Sequence, residues 1–143
     1  MSKNAHIEIV RNGLRVFNRN AGVLKSDPYD LGLPLSHCSA LIDIEKHRSL
    51  NPNKLATLLH LDKSSVSRML INLKKKGLID ISPNPNDGRG KSLSLTNKGL
   101  KYVEKINDAS NQYVINLFQE VTAQQRQVLV NAFQILSDAL NNN

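Results

Sequence analysis

Between Lys63 and Lys91 the chain gathers residue types that can hold a polyanion and read the edges of its bases. Lys63, Ser64, Ser65, Ser67, Arg68 and Asn72 come first. They are short hydroxyls, an amide and cations, which donate to phosphates and base edges without blocking access to a major groove. Asp87, Arg89 and Lys91 follow in a stretch rich in Pro, Asn and Gly. An arginine on a narrow β-tip suits the minor groove, whose negative potential is strongest where A·T tracts narrow it. Asp87 alone would repel DNA, so its expected job is to hold the Arg89 guanidinium by paired hydrogen bonds.

These residues need rigid supports, and residues 51–99 supply the pattern for them. Asn51 is a good helix N-cap with Pro52 at the first helical position, and Leu55, Leu58 and Leu59 give that helix a buried stripe. The pattern breaks at His60-Leu61, after which Asp62 caps a second helix expected over 63–76. Val66, Met69, Leu70 and Leu73 fall at i, i+3, i+4 and i+7, which leaves the polar candidates on the other sides. At about 1.5 Å per residue the helix is roughly 21 Å long, enough to lie across a major groove. Gly77 stops it.

An alternating pair of strands comes next. Ile79 and Ile81 alternate with Asp80 and Ser82, and Leu93 and Leu95 with Ser92 and Ser94. Residues 83–91 are expected as the loop between them, since their prolines and glycines forbid helix. The order is a helix-turn-helix followed by a β-hairpin wing.

Charge agrees with that placement. The 143 residues carry a formal charge of +7, and residues 62–105 hold ten Lys/Arg against four Asp/Glu. The excess therefore sits on the second helix, the wing and the turn after it, which favours a polyanionic partner over a merely solvated basic face. The Lys74-Lys75-Lys76 run reads equally as phosphate-binding charge or as cations stabilising a helix C-terminus.

The sequence LDKSSVSRML…LKKKGLI…NDGRGKSLSLTNKG resembles the winged helix of the MarR (multiple antibiotic resistance regulator) family of bacterial transcription factors. That family has a wing of the form D-x-R followed by L-T-x-x-G. Asp87 and Arg89 fill the first part, and Leu95, Thr96 and Gly99 the second. Gly88 stands where the family often has a second arginine. The close match covers about residues 35–99. The resemblance implies a mainly α fold, an α+β winged helix-turn-helix flanked by dimerisation helices. It also implies a homodimer on a pseudo-palindromic operator, commonly a repressor, with a small-molecule effector bound between the dimer and DNA-binding lobes.

The flanks agree in order. Ile7, Val10, Leu14, Phe17, Ala21 and Leu24 step by 3 and 4 along a helix expected over about 4–25, while Arg11, Arg15 and Arg19 share another face. Its seam needs a partner, either the C-terminal helices of its own chain or a second subunit. Pro28, Gly32 and Pro34 mark a connection, and Ser36 is expected to cap a helix through Arg48 with Leu41, Ile44 and Cys38 inward. Thr96 is expected to cap a long helix to about Glu120, with Val103, Ile106, Tyr113 and Leu117 on one side. Thr122 and Gln125 form a capping box for a last helix whose buried stripe is Leu129, Phe133, Leu136 and Leu140, and residues 141–143 read as a frayed tail. The whole chain is expected to be one domain, with the winged lobe over about 35–98 and dimerisation helices over about 4–25 and 97–140.

Other chemistry finds little support. There is no G-x-S-x-G elbow, P-loop or H-E-x-x-H, so no enzyme, cofactor or metal is expected. Asp43 and His47 lie at i, i+4 without a third metal ligand, which favours a surface pair. The single cysteine excludes an internal disulfide and suits a reducing cytosol. Cys38 lies near a helix start beside His37, where a thiol pKa can fall, but on an apolar face that favours an inert core residue. No signal-peptide pattern or bilayer-length apolar run is present, so a cytoplasmic, soluble protein is expected. The alternative reading is a winged helix that pairs with another protein and never reads DNA. The basic wing and the Ser-rich helix argue against it.

Overall fold

The computed structural model describes residues 1–141, so the end of the expected tail, residues 142–143, lies outside the described residues. The chain divides into two compact units, Met1–Asn107 and a second beginning at Asp108.

In the first unit, α1 (Lys3–Asn20) is capped by Ser2, whose hydroxyl accepts from the Ala5 amide at 3.3 Å. It ends five residues before the expected boundary because Gly22 takes a left-handed φ of +76°, which stops the helical run. Leu24 is therefore off the helix and 81% exposed, and the seam loses its last member. The connection that follows is folded around Asp27. Its carboxylate accepts from the amides of Leu31, Gly32 and Leu33 at 2.9, 2.8 and 3.4 Å. Those bonds hold its carboxyl below the usual carboxylate range.

Helix α2 (Leu35–Lys46) starts at Pro34 rather than Ser36, and no side chain caps it. The Ser36 hydroxyl instead lies 3.3 Å from His37 Nδ1. Cys38, Ala40, Leu41 and Ile44 face the core. Asn51 Oδ1 accepts from the Lys54 amide at 2.8 Å and caps α3 (Pro52–Leu59) as expected. Its buried residues are Leu55 and Ala56, with Leu59 half-buried; Leu58 turns outward and is 38% exposed. A stripe at i, i+1 and i+4 leaves position i+3 on the flank, where the leucine stays wet. His60 ends α3 in a left-handed conformation, φ +52°, which makes the tight break before α4 (Lys63–Lys75). Val66, Met69, Leu70 and Leu73 are all buried, the stripe that the spacing predicts.

Gly77, φ +71°, turns the chain into the hairpin of β1 (Ile79–Asn84) and β2 (Asp87–Leu95). The strands are antiparallel, with Ile79 opposite Leu95 and Ile81 opposite Leu93. Residues 83–91 are not a loop: the strands run through them to a tight turn at Pro85-Asn86, with a register shift at Pro83/Asn84. Local side-chain bonds make this closure, since Asn84 Oδ1 accepts from the Asn86 amide at 3.0 Å and Asp87 Oδ1 from the Arg89 amide at 3.1 Å. The segment before α3 joins the sheet's inner edge through Leu93 N–H to Leu50 O at 2.8 Å.

The core of this unit is aliphatic, as a chain without Trp requires. Leu41, Leu50, Leu55, Leu73, Leu78 and Ile106 are among its largest side chains. Helix α5 (Asn97–Gln119) contributes Gly99, Val103 and Ile106 to it.

In the second unit, Thr122 and Gln125 cap α6 (Ala123–Asn141) reciprocally, at 3.2 and 2.9 Å. The expected buried stripe of α6 is not buried within the chain: Phe133, Leu136 and Leu140 are 48%, 37% and 68% exposed. No helix among the described residues is long and apolar enough to cross a membrane.

Candidate nucleic-acid interface

The N-terminus of α4 is built by Asp62. Its Oδ1 accepts from the Ser65 amide at 2.8 Å and its Oδ2 from the Ser65 hydroxyl at 2.6 Å. The same Ser65 oxygen accepts from Arg68 Nη2 at 3.3 Å. The Ser65 hydroxyl, then its amide, hold the Asp62 carboxyl below the ordinary aspartate range, and the Arg68 charge adds to that. This chain of three side chains was only partly visible in the sequence, where Ser65 stands as one of several free hydroxyls. The structure makes Ser65 half-buried and fully engaged, so that it orients Arg68.

Lys63, Ser64, Ser67, Arg68 and Asn72 are exposed along α4, opposite its buried stripe. Asp87, Arg89 and Lys91 are exposed on β2. The structure corrects the expected role of Asp87: its carboxylate bonds the Arg89 backbone N–H rather than the guanidinium. A two-residue separation favours this local turn, because it holds the amide within reach of the aspartate oxygen.

What sequence reasoning missed is how the wing is fastened to α4. Thr96 Oγ1 donates to Gly77 O at 2.6 Å and accepts from the Gly99 amide at 3.0 Å. Lys98 Nζ reaches Lys76 O at 2.8 Å. Gly99 lies so close to Leu78 that a Cβ there would overlap the Leu78 carbonyl oxygen. The L-T-x-x-G pattern is therefore a fastening between the end of α4 and the start of α5, and the signal lay in its residue types.

The remaining candidates for chemistry do not assemble. Among the described residues no group of three or more His, Cys, Asp or Glu side chains could hold a metal ion. His47 Nδ1 lies 2.9 Å from the Asp43 carbonyl, a bond within its own helix end. Burial pushes the Cys38 thiol up to about 11, and the Asp27 carboxylate acts in the same direction. The lowered pKa of a redox sensor is not what this site produces.

The pattern matches known proteins. Residues 33–91 fit the family model described as MarR family. PapX of Escherichia coli, an HTH-type transcriptional regulator, is 25% identical over 101 residues, covering 71% of this chain and 59% of PapX. The multiple antibiotic resistance protein MarR of Salmonella typhimurium is 33% identical over 92 residues, 64% of this chain and 62% of that protein. The chain thus spans about three-fifths of the length of these two relatives. FabT of Streptococcus pneumoniae, solved in complex with DNA, superposes with a TM-score of 0.81 at 18% identity, covering 95% of this chain and 98% of FabT. At that identity the superposition shows the fold, a winged helix-turn-helix. The family consists of regulators and not of enzymes, in keeping with the absence of catalytic motifs. With the helix-turn-helix inside the matched stretch and the wing at its end, residues 33–91 carry the MarR-family pattern, and the chain is similar to the regulators named above.

Proposed function

We propose that this chain is a cytoplasmic, sequence-specific reader of double-stranded DNA. In this reading it acts as a homodimer on a pseudo-palindromic operator, as a ligand- or stress-responsive repressor. The observation that carries the reading is the Asp62–Ser65–Arg68 chain, which presents a pre-oriented guanidinium on the open face of α4. Arginine fixed in this way suits bidentate contact with a guanine edge. Ser64, Ser67 and Asn72 lie on the same helix for neighbouring bases and phosphates, and Lys63 and Lys91 supply backbone charge. Arg89 on the wing suits the minor groove, with Asp87 shaping the tip.

A dimer is supported by apolar side chains that the chain itself leaves exposed: Ile7, Val10 and Leu14 on α1, Phe133 and Leu140 on α6. In this reading helices 3–20 and 97–141 serve the dimer while the winged lobe reads DNA, so that the chain acts as one functional domain. Repression and an effector between the lobes are supported by the match of residues 33–91 to the MarR family model. A gel-shift series with the DNA upstream of the protein's own coding sequence tests the reading. Retention that weakens in Arg89→Ala is expected. A chain that retains neither this DNA nor random duplex at low salt would instead be a protein-interaction module.

A further inference from the structure

Where α2 ends beside the sheet, the first unit holds an open cavity of about 360 Å³, a size that suits a small ligand. Its walls are the last turn of α2, the Arg48-Ser49 connection, residues 92–95 of β2 and Leu100 in the first turn of α5. None of the residues lining it belongs to α1 or α6, which sets it apart from an effector place at the dimer seam. The floor is hydrocarbon. Ile44 and Leu93 are 4% and 3% exposed, and Leu100 is 41% exposed beside them.

The rim carries charge of both signs. Glu45 and Arg48 are exposed, and among the described residues neither side chain has a hydrogen-bond or ion-pair partner. Helix α2 stops between them, at Lys46, so they do not meet as neighbours on one helix face. The negative pole is reinforced by the C-terminus of α2 and by His47. His47 Nδ1 lies 2.9 Å from the Asp43 carbonyl, which can only accept, so Nδ1 holds a proton and Nε2 of the neutral ring accepts. The positive pole gains a backbone donor. Leu93 N–H turns away from β1 to Leu50 O at 2.8 Å, and alternation gives Leu95 N–H the same direction, onto the sheet edge along which Leu50 lies.

We propose that this cavity binds a small zwitterion, an aliphatic α-amino acid. Its ammonium group lies between Glu45 and His47, and its carboxylate on Arg48 and the Leu95 N–H. Its side chain lies against Ile44, Leu93 and Leu100. A simple anion leaves the Glu45 pole unmatched, and a simple cation leaves Arg48 unmatched. The occupant ties the end of α2 to β2, the strand that carries Arg89 and Lys91, but the assignment stands whether or not the wing reads DNA.

The test is titration of the full ¹⁵N-labelled chain with leucine, followed by the amide and arginine side-chain resonances at constant ionic strength. Saturable movement of the Leu95 amide and the Arg48 side chain is expected, with a Kd on the order of 1 mM for a ligand of this size. The probes 4-methylpentanoate and 3-methylbutylamine each lack one charged group, and each is expected to bind at least about tenfold more weakly, the loss of one charge-assisted contact. Arg48→Gln is expected to bind leucine no better than 3-methylbutylamine, and Glu45→Gln to bind it no better than 4-methylpentanoate. Both side chains are exposed and unbonded, so both variants are expected to keep the parent spectrum away from the cavity. Either single-charge probe binding as tightly as leucine would overturn the zwitterion in favour of a plain anion or cation site. Leucine shifts that do not saturate, that fall away from Leu95 and Arg48, or that persist at parent affinity in both variants would overturn the cavity assignment.

Discussion

Thr96 Oγ1 donates a 2.6 Å hydrogen bond to the carbonyl of Gly77, nineteen residues earlier in the chain. The same oxygen takes the amide of Gly99 at 3.0 Å, so one hydroxyl joins the end of α4 to the start of α5. Lys98 reinforces the joint and also lies 5.9 Å from the ring centroid of Tyr102. The angle at which α4 leaves the body of its unit is thereby fixed by side chains far from its reading face.

Thr96→Val keeps the shape and removes both bonds. It is expected to cost about 0.5–1.5 kcal/mol, the net contribution of hydrogen bonds whose partners water can reach, while Thr96→Ser stays near the unaltered protein. Urea midpoints at constant m-value measure the cost. Equal midpoints for the valine and serine variants would show that water replaces the joint without loss.

At the wing tip, the Asp87 carboxylate bonds the Arg89 amide and shapes the backbone. An amide oxygen can do the same, so Asp87→Asn is expected to bind DNA at least as tightly as the parent, with one repulsive charge removed. Asp87→Ala loosens the tip and is expected to weaken binding. Arg89→Ala is expected to cost more than either, and the Asp87→Ala/Arg89→Ala pair to resemble Arg89→Ala alone, a non-additivity that reports coupling. Equal gains from Asn and Ala at position 87 would reduce the acid to a surface charge.

Cys38 gives a pH prediction. Its folded pKa of about 11 lies above the ordinary thiol value of 9.0. Between those values the unfolded chain has lost the proton and the folded chain has kept it, so stability falls as pH rises from about 9 to about 11. In Cys38→Ala that fall is expected to shrink. Alkylation of the native thiol near neutral pH is expected to be at least about tenfold slower than in urea. Equal labelling rates would contradict the enclosed thiol that is 1% exposed.

The open apolar faces predict the assembly. Leu14 and Phe17 of α1 are 44% and 38% exposed, and Phe133 of α6 is 48% exposed, a heavy load of wet hydrocarbon for one chain. Sedimentation at micromolar concentration is expected to give the mass of two chains, with Leu14→Glu or Phe133→Glu shifting it toward one. A monomeric mass for the unaltered chain would remove the symmetric reader.

Much of this was legible in the sequence because periodicity states it directly. The Val66/Met69/Leu70/Leu73 stripe, the Asn51 and Asp62 caps and the Thr122/Gln125 box all follow from local rules, and the structure holds them as expected. Boundaries were less legible. Gly22 ends α1 where the apolar spacing runs on, and Pro34 displaces Ser36 from the cap of α2. Spacing alone also overstated burial: Leu58 and the α6 stripe have helical periods but face outward within the chain, because periodicity marks a face and not its partner. The Thr96–Gly77 bond crosses from one element to another, and such pairings appear only once the fold brings their residues together.

The central claim is that the pre-oriented Arg68 and its neighbours read a DNA sequence, and selection from a pool of random duplexes tests it most directly. The full chain is expected to enrich one pseudo-palindrome whose half-sites are centred about 10 base pairs apart, one helical turn. Arg68→Ala is expected to bind that site more weakly by about 1–3 kcal/mol and to relax the motif at one base per half-site. Duplexes recovered with no common motif, or the same motif recovered unchanged by Arg68→Ala, would contradict the account.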